Sequence, residues 1–191
     1  MKKEIADLMS VWKKNNIGGI YCADRKEALQ KLLELMPVTA SVGISGSVTL
    51  NELGIVKSLE ERGNTVFNQN KAGLAKEESL ELRRRGAGAD YYLASANAVS
   101  LEGELIFLSA WGHRIAGIAN AKNVIVIAGT NKLVKDRSEG LKRAKDYAMP
   151  LNYKRLNWDP ARVMCCQELI IDAEASAGRL TVVLVEEKLG F

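Results

Sequence analysis

Two polar loops carry the residues best suited to chemistry. The first, VGISGSVTLNELG over residues 42–54, takes an apolar run into a helix through glycines and hydroxyls. Gly43 and Gly46 permit a tight turn and close approach of a ligand to the backbone amides, and Ser45 and Ser47 add hydroxyls. The helix beginning near Thr49 aims its free N–H groups and positive dipole end back at the loop. A phosphate or carboxylate fits such a turn. The same residues also read as a tight strand-to-helix connection in which Ser47 or Thr49 only caps the helix. No Gly-Lys-Ser/Thr follows and the G-x-G-x-x-G spacing is missing, so this is neither a Walker loop nor a dinucleotide site. The second loop, Gly129, Thr130, Asn131 and Lys132, leaves the unbroken β-branched run VIVIA at residues 124–128.

Three side chains are candidates for moving protons. Glu52 falls near the first loop, where it could act as acid or base, but Thr49 with Glu52 three residues on is also the spacing of a capping box. Glu102 follows Asn97 in the central block and could serve as nucleophile or base. It also sits in Glu102-Gly103, where a hairpin turn would fall. His113 is the one histidine and is followed by Arg114, a pair that suggests a general base. It has no Ser, Cys or Asp partner beside it in sequence, which suits a structural histidine.

The elements that must position these groups alternate in type. Ile5, Leu8, Met9 and Trp12 recur at helical spacing over residues 3–14. A short strand at 20–23 follows the break at Gly18 and Gly19. Asp24 and Glu27 then open a helix that stops before Pro37. A strand at 40–44 enters the first loop, and a helix with Leu50, Leu53, Val56 and Leu59 on one face runs to Gly63. Strands are expected at 65–67 and 91–94, with a helix at 77–85 between them. The returning arm of a hairpin is expected at 105–108, and a small-residue helix at 115–121. Asp136 and Glu139 open a helix ending before Pro150, residues 152–159 read as irregular, and LTVVLV at 180–185 is a final strand. This order predicts an α/β domain with a mainly parallel sheet and a central hairpin, with ligands outside the carboxyl ends of the strands. Both polar loops would then face one crevice.

At 191 residues, with 47% apolar and 26% charged, the chain suits one globular domain, with residues 1–16 an N-terminal helix packed on it. No apolar run reaches a membrane span and the start lacks a signal-peptide core, so a cytoplasmic protein is expected. A net charge of +4 is modest. The cluster Arg83, Arg84 and Arg85 reads as a solvated helix end, and no aromatics alternate with it as a single-strand nucleic-acid face requires. Cys22, Cys165 and Cys166 make an odd count without C-x-x-C, which fits free thiols in a reducing compartment and no metal site.

Taken together, VGISGSVTLNELGI, ADYYLASANAVSLEGELIFL, GHRIAGIANAKNVIVIAGTNKLVKD, MPLNYKRLN and RLTVVLVEEKLGF follow one another as in the LUD-domain (lactate utilization) proteins, which the chain resembles over most of its length. The resemblance implies a three-layer fold similar to the NagB/RpiA/CoA-transferase group and a role in lactate or organic-acid metabolism. Its ligand would be a small carboxylate, phosphate or CoA-type anion, with no required cofactor. It assigns the ligand to Gly43, Ser45, Gly46, Ser47, Thr49, Asn97, Arg114, Gly129, Thr130, Asn131 and Lys132, with Asn152 and Arg155 in a third block. Any acid-base or acyl chemistry would fall to Glu52 or Glu102. Other subunits of a lactate-oxidation system are implied as partners, and the small-residue helix makes a homodimer conceivable.

The departures from the family pattern are informative. His113 stands where an asparagine is usual, and NWDPARVMCCQELI keeps only Cys165 and Cys166 of a cysteine cluster. An amide at Asn97 occupies the place of an acid in related sugar-phosphate isomerases and cannot take a proton from carbon. These features motivate the alternative of a non-catalytic sensor or assembly subunit with the same fold.

Overall fold

The structure, a computed structural model, describes residues 2–161 and 166–191. Helix α1 (Lys3–Lys14) buries Ile5, Leu8 and Trp12 at the spacing of one helical face. Strand β1 (Gly18–Cys22) takes in both Gly18 and Gly19, which the sequence suggests as a break. Helix α2 (Arg25–Leu35) is capped by Asp24, whose carboxylate accepts from the Lys26 and Glu27 amides at 2.8 Å each. Strand β2 (Ser41–Ile44) leads into α3 (Val48–Leu53) and α4 (Ile55–Arg62), two helices where the sequence predicts one. Gly54 divides them because it adopts the left-handed conformation, φ 67°, which ends a helix.

Next come β3 (Thr65–Phe67), α5 (Lys76–Ala87), β4 (Tyr91–Ala94), β5 (Ala98–Ser100), β6 (Leu105–Ser109), α6 (His113–Asn120) and β7 (Asn123–Gly129). A 3-10 turn over Thr130–Lys132 precedes β8 (Leu133–Val134) and α7 (Arg137–Lys142). The helix does not stop before Pro150. A π turn, Arg143–Ala148, runs straight into α8 (Met149–Leu156), with Pro150 in its first turn. The π turn before it widens the helix where the proline's missing N–H and ring would break a regular α-helix. Residues 152–156, expected to be irregular, are therefore helical. Strands β9 (Gln167–Ile171) and β10 (Leu180–Val185) complete the order.

The main sheet has six strands in the order β1-β10-β7-β4-β2-β3, every pair parallel. One face packs on α2, α3 and α4 through Val42, Ile44, Leu93, Ile125, Ile127 and Val183. The other carries Tyr92, Val124, Val126 and Val182 against α1, α6 and the side chains of Leu105 and Phe107. With both faces covered, the strands are continuous apolar runs, as in VIVIA. Gly117 on α6 lets the helix sit on the sheet, because a Cβ there would lie 2.2 Å from the Tyr92 ring. The small residue thus serves packing on the sheet.

The central hairpin is present but lies in a second sheet of four strands, β8-β5-β6-β9, with β5 and β6 antiparallel. Its outgoing arm is β5, not β4. Ala98, Ile106, Leu108 and Val134 of this sheet pack against Ala144 of the π turn. The hairpin turn holds Gly103 at φ 108°, and its carbonyl accepts from Trp12 Nε1 at 2.9 Å, pinning α1 to the second sheet. Among the described residues no helix is long and apolar enough to cross a membrane.

Candidate functional site

Because the main sheet is parallel, the carboxyl ends of the adjacent strands β10, β7, β4 and β2 converge on one edge. A cleft opens there, about 480 Å³ counting the space open to solvent. Residues 46–49 after β2, Ser95 to Asn97 after β4 and Lys132 after β7 line it, and Ala148, Met149, Asn152 and Arg155 of the π turn and α8 close the opposite wall.

At its deep end lies Lys132, only 2% exposed. Its ammonium donates to Ser95 Oγ at 2.8 Å, Thr49 Oγ1 at 3.0 Å and the Ala96 carbonyl at 3.1 Å. The two hydroxyls send their own hydrogens onward, Ser95 to Thr49 Oγ1 and Thr49 to the Leu189 carbonyl, so both present lone pairs to the amine. All three acceptors are neutral. Burial pushes the Lys132 amine down to about 7, helped by Arg143 and Arg114 and opposed by Glu52.

Two arginines tie the loops around this amine. Arg114 donates to the carbonyls of Leu108 at 2.7 Å and Gly46 at 2.9 Å, and to Asn97 Oδ1 at 3.4 Å. Arg143 donates to the carbonyls of Asn97 and, at 3.1 Å, Asn131. Asn97 Oδ1 also accepts from the Leu108 amide at 2.8 Å, so only the amide's donor end is left to serve the cleft. Ten ion pairs form among the described residues, and none involves Lys132, Arg143 or Arg155. Arg155 instead holds Asn152 Oδ1 at 2.8 Å.

The first loop divides its labour differently from the spacing of its residues. The cap of α3 is Ser47, whose Oγ accepts from the Leu50 amide at 3.4 Å. Thr49 and Glu52 are not a capping box. Thr49 faces Lys132, and the Glu52 carboxylate accepts from the Gly190 amide at 2.8 Å. The segment after β10 is thereby clasped to the site. Asn131 completes the clasp, accepting from the Leu189 amide at 3.1 Å and donating to the Gly190 carbonyl at 3.3 Å. Phe191, at the end of this segment, lines the cleft.

Of the residues singled out from sequence, Gly46, Ser47, Thr49, Asn97, Arg114, Lys132, Asn152 and Arg155 come together around the cleft. Gly43, Ser45, Glu52, Glu102, Gly129, Thr130 and Asn131 do not line it. Gly43 is needed for packing, since a Cβ there would lie 2.1 Å from the Gly86 carbonyl oxygen. Gly129 is likewise filled around, by the Glu187 carbonyl at 2.4 Å. Ser45 is buried with its hydroxyl unpartnered among the described residues. Glu102 occupies the hairpin turn beside α1, the alternative its spacing left open. Ser95 and Arg143 escape the sequence reading. Ser95 follows a strand at its carboxyl end, which is the signal that could have found it.

A second, outer chamber adjoins the cleft and shares Gly46, Ser47, Leu108, Arg114, Asn152 and Arg155 with it. Arg83, Trp111, His113 and Trp158 stand in its wall. Burial, with Arg83 and Arg114 adding to it, lowers His113 to about 4, so the imidazole is neutral at pH 7. Cys165 lies outside the described residues, and Cys166 is exposed. Among the described residues no cluster of His, Cys, Asp or Glu could hold a metal ion.

Fold and cleft define an α/β protein with a strand-end cleft rimmed by cations. A family model described as LUD domain matches residues 5–185, and the chain belongs to that family. Among solved structures, a DUF162 family protein from Deinococcus radiodurans superposes with a TM-score of 0.60 over 96% of each chain at 13% identity. Ribose 5-phosphate isomerase A from Neisseria gonorrhoeae aligns with 59% of this chain and 54% of its own, with a TM-score of 0.39 and 15% identity. No curated protein matches the chain.

Proposed function

We propose that this LUD-domain protein binds a small organic anion at the deep end of the cleft, as part of cytoplasmic lactate or organic-acid metabolism. One observation carries the reading: Lys132, Arg114 and Arg155 line the cleft, and among the described residues no aspartate or glutamate does. Positive charge on the buried Lys132, with no aspartate or glutamate side chain in the wall among the described residues, favours an anionic occupant, because the occupant lowers the cost of holding the charge out of water. The Ser47 hydroxyl, the Asn97 amide N–H groups and the Lys132 ammonium are the donors such a carboxylate or phosphate would meet. Gly46 would allow close approach. Glu52 supports the site by fixing the segment at Gly190, and Glu102 has no part in it.

The alternative, a sensor or assembly subunit that binds the anion without converting it, draws support from the same wall. The carboxylates proposed from sequence are elsewhere, so Lys132 is the lining group best placed to exchange a proton near neutral pH. Thermal shift and calorimetry with lactate, pyruvate, inorganic phosphate and acetyl-CoA test the binding reading. At least one anion should raise the melting temperature, and Ser47→Ala combined with Lys132→Met should abolish the rise. If none of the four stabilises the protein, or if the double variant still binds, the reading fails. Turnover of a bound anion by the wild-type protein would eliminate the sensor alternative.

A further inference from the structure

The arginine triplet on α5 is not uniform. Arg84 pairs with Glu81 at 3.8 Å, and Arg85 lies over the Phe67 ring at 4.7 Å from its centroid. Arg83 has neither kind of partner. It turns to the wall of the outer chamber, where its Nε is buried, and it makes no side-chain hydrogen bond or ion pair among the described residues. Its charge falls on His113 and Tyr92, and Arg114 acts on the same two groups. Two guanidinium groups thus bear on one neutral imidazole whose Nδ1 is also buried and, among the described residues, unpartnered. Like charges drawn together beside unsatisfied donors are an arrangement that an anion relieves.

The rest of the chamber fits the same occupant. Asn51, Asn70 and Ser109 contribute neutral polar groups to its wall, and among the described residues no carboxylate lines it. Trp111, 59% exposed, and Trp158 form its apolar sides. The chamber encloses about 1100 Å³ counting the space open to solvent, and it is continuous with the deep cleft through Gly46, Ser47 and Arg114. A three-carbon acid held at Lys132 would leave it empty. We infer that the outer chamber is a second anion subsite built on Arg83, so that the ligand is a dianion, with one acidic group in the deep cleft and the other beside Arg83, His113 and Asn70. The inference rests on the anion-binding reading for the first of these groups. The second group is a carboxylate or a phosphate, two sources of one chemistry.

Paired probes separate them. Calorimetry on the full chain at pH 7 compares lactate with malate, which adds a carboxylate, and glycerate with 3-phosphoglycerate, which adds a phosphate. At least one dianion should bind tenfold or more tighter than its monoanion, the stronger pair naming the acidic group. Arg83→Gln should reduce that ratio to about twofold or less, while Arg84→Gln, one residue along the same helix, should retain it; circular dichroism melts confirm that both variants fold. Trp111→Phe should remove most of any fluorescence change that the dianion causes. If lactate and glycerate bind but neither dianion binds more tightly, or if the ratio survives Arg83→Gln, the second subsite is refuted while the deep site stands. If none of the four probes binds, the deep-site reading falls and takes this inference with it.

Discussion

Replacing Lys132 by methionine should stabilise the protein at neutral pH while removing the central cation of the proposed anion site. The buried amine titrates at about 7 in place of 10.5. That displacement of about 3.5 pH units corresponds to about 4 kcal/mol of folding free energy at pH 7, where the unfolded chain is fully protonated and the folded chain half so. Methionine removes this cost and leaves Thr49 Oγ1, Ser95 Oγ and the Ala96 carbonyl each short of a donor. Those three losses together cost about 2 kcal/mol. The net gain is about 2 kcal/mol, or roughly 4–8 °C in Tm for a chain of this size.

The sign of the pH dependence follows from the direction of the shift. Between about 7 and 10.5 the unfolded state binds more protons than the folded state, so wild-type stability rises with pH across that window, a slope the methionine variant lacks. The variant's advantage should shrink by about 2 kcal/mol between pH 7 and pH 9 and nearly vanish. Urea denaturation of both proteins at the two pH values measures it. A methionine variant less stable than wild type at pH 7, or a difference identical at both pH values, would refute the electrostatic account of this lysine.

Four further substitutions probe the surroundings. His113, lowered to about 4, should cost the wild type about 3 kcal/mol as pH falls from 6.5 to 4, because the unfolded chain gains a proton that the folded one resists. His113→Asn should flatten that loss in acid urea melts. Gly43→Ala should destabilise by about 3 kcal/mol, since its Cβ meets the Gly86 carbonyl and the Tyr92 ring, and denaturant midpoints report it directly. Glu52→Gln should weaken the clasp by about 1 kcal/mol and speed hydrogen exchange at the Gly190 amide. The same measurement on Glu102→Gln should show no change there.

The parallel sheet was legible in the sequence because its signal is local: VIVIA and LTVVLV are runs that only a doubly covered strand tolerates, and Asp24 and Asp136 cap their helices as their spacing predicts. The missed elements had contrary local signals. β9 begins with exposed Gln167 and Glu168 at a sheet edge, and Pro150 reads as a stop unless the π turn before it is known. The site was legible as a set of loops and not as a set of contacts. Thr49 and Glu52 have capping-box spacing, yet Ser47 does the capping. Their true partners, Lys132, Ser95 and Gly190, stand 46 to 138 positions away, a separation that no periodicity encodes. Arg83 was hidden inside a charge run whose other two members are ordinary.

The position of β10 within the sheet sets the order in which this protein can be built. It pairs with β1 on one side and β7 on the other, so the interior of the sheet is closed by a strand synthesised after both. A nascent chain that has emerged only as far as β9 holds β1 without its sheet neighbour, and it lacks the segment that Glu52 and Asn131 grip. Contacts of such long sequence separation form slowly, because the intervening chain must be ordered before they contribute. The deep cleft is therefore a late product of folding, and the anion proposed to bind there would recognise finished molecules and discriminate against every intermediate still waiting for β10.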